Sequence, residues 1–539
     1  MVVTAQHLAT KVGVDVLKRG GNAIDAAVAV GYALAVVYPA AGNLGGGGFM
    51  TIRLADGRTT FLDFRETAPL AARADMYLDA AGQAVAGAST RGHLAVAVPG
   101  TVAGLEAARQ RYGSRPRGEL IAPAIALAER GYLLEQGDAD MFATATEALR
   151  ADAPSRAIFL PRGQPLGPGD RLVQHDLAAT LRHVAASGAA GFYAGPVARA
   201  IAASSRAGGG ILTLADLAQY AARELAPVEC DYRGLHIVSA PPPSSGGVVV
   251  CEILNVLEGY PLAEWGFHSA RGVHVQIEAM RAAYLDRNRY LADPSFASNP
   301  VERLLDKAYA AQLRMAIDPQ QATVDASQSD VEPPREGSNT THYSIVDAQG
   351  NAVAVTYTLN DWFGAKVMAA GTGVLLNNEM EDFTIQPGRP NLYGLVQGEA
   401  NRIAPGKRPL SSMSPTIVTR GGQPLLVLGT PGGSRIPTTV VQTLVNLVDH
   451  GMDIQEAIDA PRLHQQAQPK ATWIEPGALS ADTRALLEAM GHVFRITRPA
   501  NHVAAILVGA PALEGQPVGR NRYYGANDPR RGTGLAAGY

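Results

Sequence analysis

The 539-residue sequence contains only two cysteines, Cys230 and Cys251. They can form one disulfide at most, so disulfides do not organise the fold, and cysteine usage does not define the redox compartment. A bias of charge is also missing, because 46 basic and 49 acidic side chains give a net charge of −3. With both signs interspersed, neither a basic face for nucleic acid nor a polybasic patch for a membrane surface is predicted.

Long hydrophobic runs are missing as well. The longest apolar stretch, residues 26–41, is shorter than the roughly 20 residues that a membrane-spanning helix needs, and its small side chains indicate a packed core helix. The N-terminus runs into Lys11, Asp15 and Lys18 without a basic segment followed by an apolar one, so no signal peptide is predicted in this chain. With 47% hydrophobic residues and a mean hydropathy of zero, we expect a soluble globular protein with a large core.

Several familiar site motifs are absent. Residues 42–48 superficially resemble a phosphate-binding loop, but a helix precedes them and no Gly-Lys-Ser/Thr follows. We interpret them either as a plain loop or as backbone packed closely against a site. No Gly-x-Ser-x-Gly occurs, which argues against an α/β-hydrolase. No cysteine–histidine cluster has metal-ligand spacing, so the histidines are predicted to be structural and no metal or other cofactor is expected.

The first part of the chain is predicted to be mostly helical. Asn22 can cap an alanine-rich helix, and Asp56-Gly57 can form the turn of a hairpin. The predicted helices are residues 10–18, 23–37, 101–112, 120–129, 177–186, 248–257, 270–290 and 302–315, and the predicted strands are residues 50–54, 60–64 and 232–238.

Strands become frequent after residue 340. They are predicted at residues 344–346, 352–359, 373–376, 415–419 and 425–428 and near Val493 and Val503, with helices at 438–449 and 454–458. Runs of strands, then helices, then strands indicate layered sheets covered by helices.

The junction at Thr340 organises this pattern. A polar, proline-bearing segment, residues 318–339, ends at Gly337-Ser338-Asn339, and a strand-like segment begins with Thr340. Locally, this is typical of an exposed loop that leads into a strand. The alternative is a cleavable loop whose scission makes Thr340 an N-terminus, with its hydroxyl as the nucleophile and its freed α-amine as the base.

Polar motifs recur at the ends of the later strands. They are Thr358-Leu359-Asn360, the run from Asn377 to Asp382, the run from Arg408 to Pro415, and Gly429 to Arg435. In the last of these, two glycines precede a helix and can present adjacent N–H groups to an oxyanion.

Together these motifs resemble the gamma-glutamyltransferases (glutathione hydrolases), which are autoprocessing N-terminal nucleophile hydrolases. The similarity extends nearly from end to end, through residues 45–50, 63–66, 241–247, 340–344, 408–415, 431–435 and 537–539. The resemblance implies an α+β fold, a four-layer αββα sandwich, without a cofactor. It also implies a proenzyme that is cut between Asn339 and Thr340 into a mostly helical large subunit, residues 1–339, and a small subunit, residues 340–539, which form one intertwined heterodimer.

The resemblance also assigns the site residues. Thr340 would be the nucleophile, Thr358 would orient it, and Gly432 and Gly433 would form the oxyanion hole. The α-carboxylate of a γ-glutamyl group would be held by Arg65, Ser411 and Ser412. Its α-amine would be held by Asn360, Glu379 and Asp382. Residues 383–398, with Tyr393, resemble the lid loop of many bacterial members.

The implied partners are glutathione and other γ-glutamyl compounds, with water, amino acids or short peptides as acceptors. By resemblance the protein is expected to be periplasmic or secreted. One departure is that Asp361-Trp362 stands where some bacterial members carry two threonines, and it affects the expected acceptor wall near the lid rather than the core chemistry.

The predicted chemistry is physically consistent. A γ-glutamyl group carries a carboxylate and an ammonium on one carbon, so a selective pocket needs a cation and hydroxyls on one side and carboxylates on the other. A free α-amine with a pKa of about 7.7–8.0 can accept the threonine proton near neutral pH.

Three other functions are weighed against this one. A glutaryl-type acylase would share the nucleophile but would have no need for Glu379 and Asp382. A wall-polymer transpeptidase would be expected to leave the site more open than the lid implies. A catalytically silent binding protein would tolerate the loss of Thr340, which is present.

Overall fold

The computed structural model describes residues 1–323, 339–499, 501–510, 512–513 and 522–539. Most of the segment predicted to be an exposed loop before Thr340, including Gly337-Ser338, lies outside the described residues. Within them, the chain forms two large antiparallel sheets that are covered by helices.

The strands, in chain order, are β1 (Val2–Thr4), β2 (Gly47–Arg53), β3 (Thr59–Phe64), β4 (Tyr132–Leu133), β5 (Arg171–Leu172), β6 (Arg223–Leu225), β7 (Val228–Tyr232), β8 (Leu235–Ser239), β9 (Thr340–Val346), β10 (Ala352–Thr358), β11 (Met368–Ala369), β12 (Val374–Leu375), β13 (Thr416–Arg420), β14 (Gln423–Gly429), β15 (Leu463–His464), β16 (Thr472–Ile474), β17 (Phe494–Ile496), β18 (Ala504–Val508), β19 (Tyr523–Asn527) and β20 (Leu535–Ala537).

The α-helices are α1 (His7–Lys18), α2 (Ala23–Val37), α3 (Thr101–Tyr112), α4 (Arg117–Arg130), α5 (Gln136–Ala151), α6 (Ala153–Phe159), α7 (His175–Ser187), α8 (Ala190–Tyr193), α9 (Gly195–Ala207), α10 (Leu214–Gln219), α11 (Gly246–Leu257), α12 (Leu262–Trp265), α13 (Ala270–Tyr290), α14 (Val301–Leu305), α15 (Lys307–Ala316), α16 (Ile436–Val448), α17 (Ile454–Asp459) and α18 (Ala481–Ala489). None of these helices is long and apolar enough to cross a bilayer.

The two large sheets pack face to face. The first has the order β20-β1-β9-β10-β2-β3-β6 and the second has the order β19-β18-β14-β13-β8-β7. Alternate residues of β10 show the arrangement, because Ala352 and Ala354 belong to the core between the sheets, together with Val427 of β14. Val353 and Val355 point the other way, into a core shared with helices. Both faces of the strand are therefore buried, as the period of two requires.

Helices cover the outer face of each sheet. On the first sheet, Tyr343 and Tyr357 donate hydrogen bonds to backbone carbonyls of α2, at Ala27 and Gly31. As predicted, α2 begins after Asn22, whose side chain caps the backbone N–H of Asp25. On the second sheet, α11 and α16 pack against β8 and β14. The layers are therefore helix, sheet, sheet and helix, which confirms the αββα prediction.

Each large sheet contains strands from both sides of Thr340. In the first, β9 lies between β1 and β10, and in the second, β13 lies between β8 and β14. Segments 1–339 and 340–539 thus share both sheets. The division into these two subunits by cleavage stays a prediction.

Two predicted elements differ from the structure. Residues 232–238 form the end of β7 and most of β8, because Arg233 and Gly234 have φ values of 50° and 77° and make a two-residue turn. The helix predicted at 302–315 is broken by Asp306, whose side chain accepts a hydrogen bond from the Ala308 N–H and so starts α15.

Cys230 and Cys251 form a disulfide between β7 and α11. It is the one bridge that two cysteines allow.

Candidate active site

Thr340 is the first residue of β9 and pairs with Thr358, the last residue of β10. It is 3% exposed. Its hydroxyl donates to Thr358 Oγ1 at 3.3 Å, and the Thr358 hydroxyl in turn donates to the carbonyl oxygen of Asn339 at 2.8 Å. Two hydroxyls therefore connect the predicted nucleophile to the carbonyl of the peptide bond that precedes it. Such a hydrogen bond polarises a carbonyl for attack.

The glycine-rich segment after α2 fixes the end of β10. Asn43 donates to the Thr358 carbonyl at 2.9 Å. A Cβ at Gly46 would lie 2.0 Å from that same oxygen, so only glycine permits this approach. The structure supports the second interpretation of residues 42–48, in which their backbone packs closely against the site.

Gly432 and Gly433 lie between β14 and α16, with φ values of 133° and 56°. A Cβ at Gly432 would lie 2.2 Å from Asn501 Oδ1, and one at Gly433 would lie 2.3 Å from Tyr393 Cδ1. Any larger residue would therefore strain the backbone and collide with its neighbours. This leaves the backbone at Gly433 directly accessible to the pocket that also contains Thr340.

Arg65 follows β3 and is 1% exposed. Its two terminal nitrogens pair with the carboxylates of Glu379 and Asp382, both in the 3-10 turn Glu379–Asp382. Its Nε donates to the Pro409 carbonyl at 3.2 Å. Burial raises the pKa of Glu379 well above its usual range, although the charge of Arg65 opposes this shift. The sequence predicted the cation and the acids on opposite sides of a substrate, and the structure pairs them with one another.

The remaining predicted residues complete one pocket. Asn360 has φ of 74°, a conformation that asparagine tolerates, and its backbone carbonyl and Oδ1 accept hydrogen bonds from the Tyr393 hydroxyl at 2.9 and 2.7 Å. The predicted residues that line this pocket are Arg65, Thr340, Thr358, Asn360, Glu379, Asp382, Tyr393, Ser411, Ser412 and Gly433. Gly432 is adjacent in the chain. Motifs that are hundreds of residues apart thus surround the Thr340 hydroxyl.

Comparison with known proteins agrees with this geometry. The sequence profile of the family Gamma-glutamyltranspeptidase matches residues 9–538. This chain belongs to the gamma-glutamyltranspeptidase family. The family, the fold and the class of enzyme that the motifs indicated are therefore confirmed, whereas the roles of single residues stay predictions.

Relatives of this gamma-glutamyltranspeptidase family member match along its whole length. The glutathione hydrolase proenzyme of Pseudomonas sp. (strain A14) is 67% identical over 540 residues, which cover 100% of this chain and 94% of the relative. The glutathione hydrolase proenzyme of Escherichia coli (strain K12) is 48% identical over 544 residues, with coverages of 100% and 92%. Among solved structures, cephalosporin acylase from Bacillus halodurans superposes with a TM-score of 0.85 at 29% identity, covering 100% of this chain and 95% of the acylase.

Arg287 is a pocket residue of this gamma-glutamyltranspeptidase family member that sequence reasoning missed. It lies on α13, is 1% exposed and lines the pocket together with Arg65 and Thr340. Nothing in the sequence distinguishes it, because an arginine in an amphipathic helix is normally expected at the solvent surface.

Asp361 and Trp362 each contact a cationic side chain beside the pocket that contains Thr340. Asp361 pairs with Lys366 at 2.7 Å, and the Arg531 guanidinium lies 4.7 Å from the centre of the Trp362 ring. Both residues line a second, larger cavity that also reaches Asn339. Their effect on acceptors stays a prediction.

A buried histidine pair lies outside the pocket. His274 and Glu278 share a face of α13 and approach His492, a combination that could hold a metal ion. Sequence spacing did not reveal it, because His492 is distant in the chain. In the structure His274 Nδ1 is 2.8 Å from His492 Nε2, and Glu278 accepts hydrogen bonds from Arg281 and Thr323. Each side chain therefore has a partner within the protein.

Glu66 adds a third buried carboxylate to the Arg65 cluster. Its Oε2 lies 3.9 Å from Arg65 Nη1, and burial raises its pKa to about 7. Because the folded pKa exceeds the unfolded value of about 4.3, this group stabilises the fold fully below that value, and the contribution is lost as the pH rises through about 7.

Glu66→Gln removes this titration, so its melting temperature relative to wild type should increase between pH 5 and pH 8. The expected difference in unfolding free energy is on the order of 2 kcal/mol at pH 8. Thermal denaturation at the two pH values measures it. Glu147→Gln, at the solvent surface of α5, is the matched control for the charge change. An offset for Glu66→Gln that is the same at both pH values would contradict the assignment.

Proposed function

We propose that this protein is an autoprocessing glutathione hydrolase and gamma-glutamyltransferase that forms a γ-glutamyl ester on Thr340. The observation that carries the proposal is the buried ion-pair cluster of Arg65, Glu379 and Asp382 on the wall of the pocket that holds the Thr340 hydroxyl. It offers both charge signs to a zwitterionic group beside a nucleophile.

Processing would begin at the Asn339 carbonyl. Thr340 Oγ1 bonds to the Asn339 carbonyl carbon, the bond to the Thr340 nitrogen breaks, and the hydroxyl proton passes to that nitrogen. Water then hydrolyses the resulting ester and leaves a free amine and a free hydroxyl on Thr340. The hydrogen bond from Thr358 to the Asn339 oxygen supports this step, because it polarises the carbonyl and stabilises the developing oxyanion.

Turnover would use the freed amine as the base. It accepts the Thr340 hydroxyl proton while Oγ1 attacks the γ-carbonyl carbon, and the N–H groups of Gly432 and Gly433 face the oxyanion. The leaving amine takes the proton, and a γ-glutamyl ester remains. Water, an amino acid or a short peptide then attacks the ester and regenerates Thr340.

Substrate binding would exchange ion pairs inside the cluster. The α-carboxylate of the γ-glutamyl group pairs with Arg65 and accepts hydrogen bonds from the hydroxyls of Ser411 and Ser412. The α-ammonium pairs with Glu379 and Asp382 and donates a hydrogen bond to Asn360. Each buried charge loses one partner and gains another. A group that carries only one of the two charges leaves part of the cluster unpaired, which is costly at a buried site.

The acylase alternative has a specific basis, since a cephalosporin acylase superposes on this chain at a TM-score of 0.85. The direct test incubates the processed enzyme with glutathione and measures released glutamate and cysteinylglycine. Release that depends on Thr340 supports the proposed function. No release of either product would contradict it.

The two processed segments, 1–339 and 340–539, would stay together as a heterodimer. Both sheets contain strands of each segment. The Cys230–Cys251 disulfide supports an oxidising location, the periplasm or the cell exterior. Residues 383–398 would act as a lid, since Tyr393 lies against Asn360 and Gly433.

Arg65→Lys should lower kcat/KM for a γ-glutamyl anilide by about tenfold or more, because charged hydrogen bonds contribute about 1.5–3 kcal/mol each and lysine cannot hold two carboxylates in one plane. Processing should persist, since it involves no bound glutamate. Steady-state kinetics gives the first result and mass spectrometry the second. Arg58→Lys, in the exposed turn between β2 and β3, is the control. An unchanged kcat/KM in Arg65→Lys would remove Arg65 from the site.

A further inference from the structure

Arg287 differs from the other fully buried arginines. Arg65 and Arg408 are as deeply buried, and each pairs with at least one carboxylate, Asp63 in the case of Arg408. No carboxylate of the described residues lies within ion-pairing distance of the Arg287 guanidinium. Burial lowers the pKa of Arg287 to about 10, so the side chain still carries its charge at neutral pH.

All hydrogen-bond partners of this guanidinium are neutral. They are Ser245 Oγ at 3.0 Å from Nε, Asn288 Oδ1 at 2.9 Å and Gln397 Oε1 at 3.2 Å from Nη1, and Ser412 Oγ at 3.2 Å from Nη2. Four acceptors hold the plane of the guanidinium, but none of them neutralises it. Asp382 acts on Arg287 only through its field, because it is paired with Arg65. A buried charge without a directly paired opposite charge is destabilising unless a ligand supplies one.

The pocket lies where such a ligand would bind. Arg287, Arg65, Ser411 and Ser412 line the same pocket as Thr340. Because Arg287 donates to Ser412 Oγ, the hydroxyl hydrogen of Ser412 is turned away from the guanidinium and is available to another acceptor. Arg287 also brings a second cation to the wall where Arg65 pairs with Glu379 and Asp382.

We propose that Arg287 is a positioning residue for the substrate α-carboxylate, which acts by fixing Ser412 as a hydrogen-bond donor and supplies the second positive charge of the carboxylate subsite. The inference rests on the proposed function. A zwitterionic γ-glutamyl group then meets two cations at its carboxylate and two carboxylates at its ammonium. Arg65 contacts the carboxylate directly, and Arg287 acts through Ser412.

The test compares two substrates that differ only in this charge, γ-glutamyl anilide and its α-carboxamide analogue. Arg287→Gln should raise KM for the anilide by about tenfold or more while kcat changes little, because a uniform binding interaction is lost. KM for the neutral analogue should be nearly unchanged. If Arg287 had a purely structural role, Arg287→Gln should raise KM for both substrates by the same factor.

A double variant of Arg287 and Ser412 provides a second test. If Arg287 acts through Ser412, the effects of Arg287→Gln and Ser412→Ala on KM should be clearly less than additive in the double variant. Arg281→Gln, on the same helix and paired with Glu278, is the matched control and should leave both KM values at the wild-type level.

Cleavage before Thr340 shows whether each variant has folded. If Arg287→Gln fails to fold, KM for the two substrates is measured with Arg287→Lys instead. Lysine keeps the charge but cannot hold Ser412 and Gln397 together, so KM should rise for the anilide and not for the α-carboxamide. Equal effects on the two substrates, or an unchanged KM for the anilide, would overturn the inference. Wild-type enzyme that does not hydrolyse the anilide would instead contradict the proposed function itself.

Discussion

Thr340→Ala protein is expected to remain a single chain, whereas wild-type protein is expected to be cut into segments 1–339 and 340–539. The substitution removes the proposed nucleophile for the Asn339 carbonyl and leaves only the Thr358 hydroxyl, which donates to the oxygen of that carbonyl. Hydrolytic activity should fall to background as well, since no free N-terminal threonine forms. Intact-mass spectrometry measures the first effect, and release of aniline from a γ-glutamyl anilide measures the second.

Thr341→Ala is the matched control. Thr341 is the next residue of β9, is fully buried, and its hydroxyl has no hydrogen-bond partner among the described residues. Because neighbouring strand residues point to opposite faces, its loss should leave processing intact. Wild-type protein that stays uncut after prolonged incubation, when purified from a protease-deficient host, would refute autoprocessing. Cleavage of Thr340→Ala at the same bond would refute the role of the hydroxyl.

The second large effect concerns the substrate ammonium. We expect kcat/KM for γ-glutamyl anilide to exceed that for glutaryl anilide by at least roughly two orders of magnitude, about 2.7 kcal/mol. A glutaryl group keeps the carboxylate and therefore draws Arg65 away from Glu379 and Asp382, but it brings no cation to replace Arg65. Two desolvated carboxylates then lose their partner, which costs more than the missing contact alone.

Asp382→Asn should reduce this ratio, mainly by lowering the rate on the γ-glutamyl substrate. Glu399→Gln is the control for the loss of an acid, because Glu399 is exposed and pairs with Arg402 outside the pocket. Comparable rates of wild-type enzyme on the two anilides would favour the acylase function over the γ-glutamyl one.

Local signals predicted many elements of the fold well. The Asn22 cap and the long alanine run predicted α2, and the threonine-led segment predicted where β9 begins. The turn at Arg233-Gly234 was missed, because one glycine inside a strand-like run is a weak turn signal and arginine seldom adopts the positive φ that it has here. The break at Asp306 was missed for a different reason, since a capping aspartate inside an amphipathic pattern resembles an ordinary exposed charge.

The candidate site could be predicted as far as motifs extend. The polar motifs stood out because they recur at strand ends, but the pocket residues were assigned by the resemblance of those motifs to a known family. The pairing of Arg65 with Glu379 and the burial of Arg287 against Ser412 could not be predicted, because both depend on the tertiary arrangement of distant segments. Composition and periodicity contain no record of such contacts.

Because segments 1–339 and 340–539 share both sheets, cleavage between them changes how the protein can refold. As one chain, the protein folds in a unimolecular reaction, with β9 placed between β1 and β10 by intramolecular contacts. Once the bond before Thr340 is cut, the same architecture can be regained from the unfolded state only if two separate polypeptides meet, at the added cost of their translational freedom. The cut therefore makes refolding dependent on protein concentration. The lifetime of the processed enzyme is then set by its unfolding rate, which is kinetic stability, rather than by the free energy of unfolding of one chain.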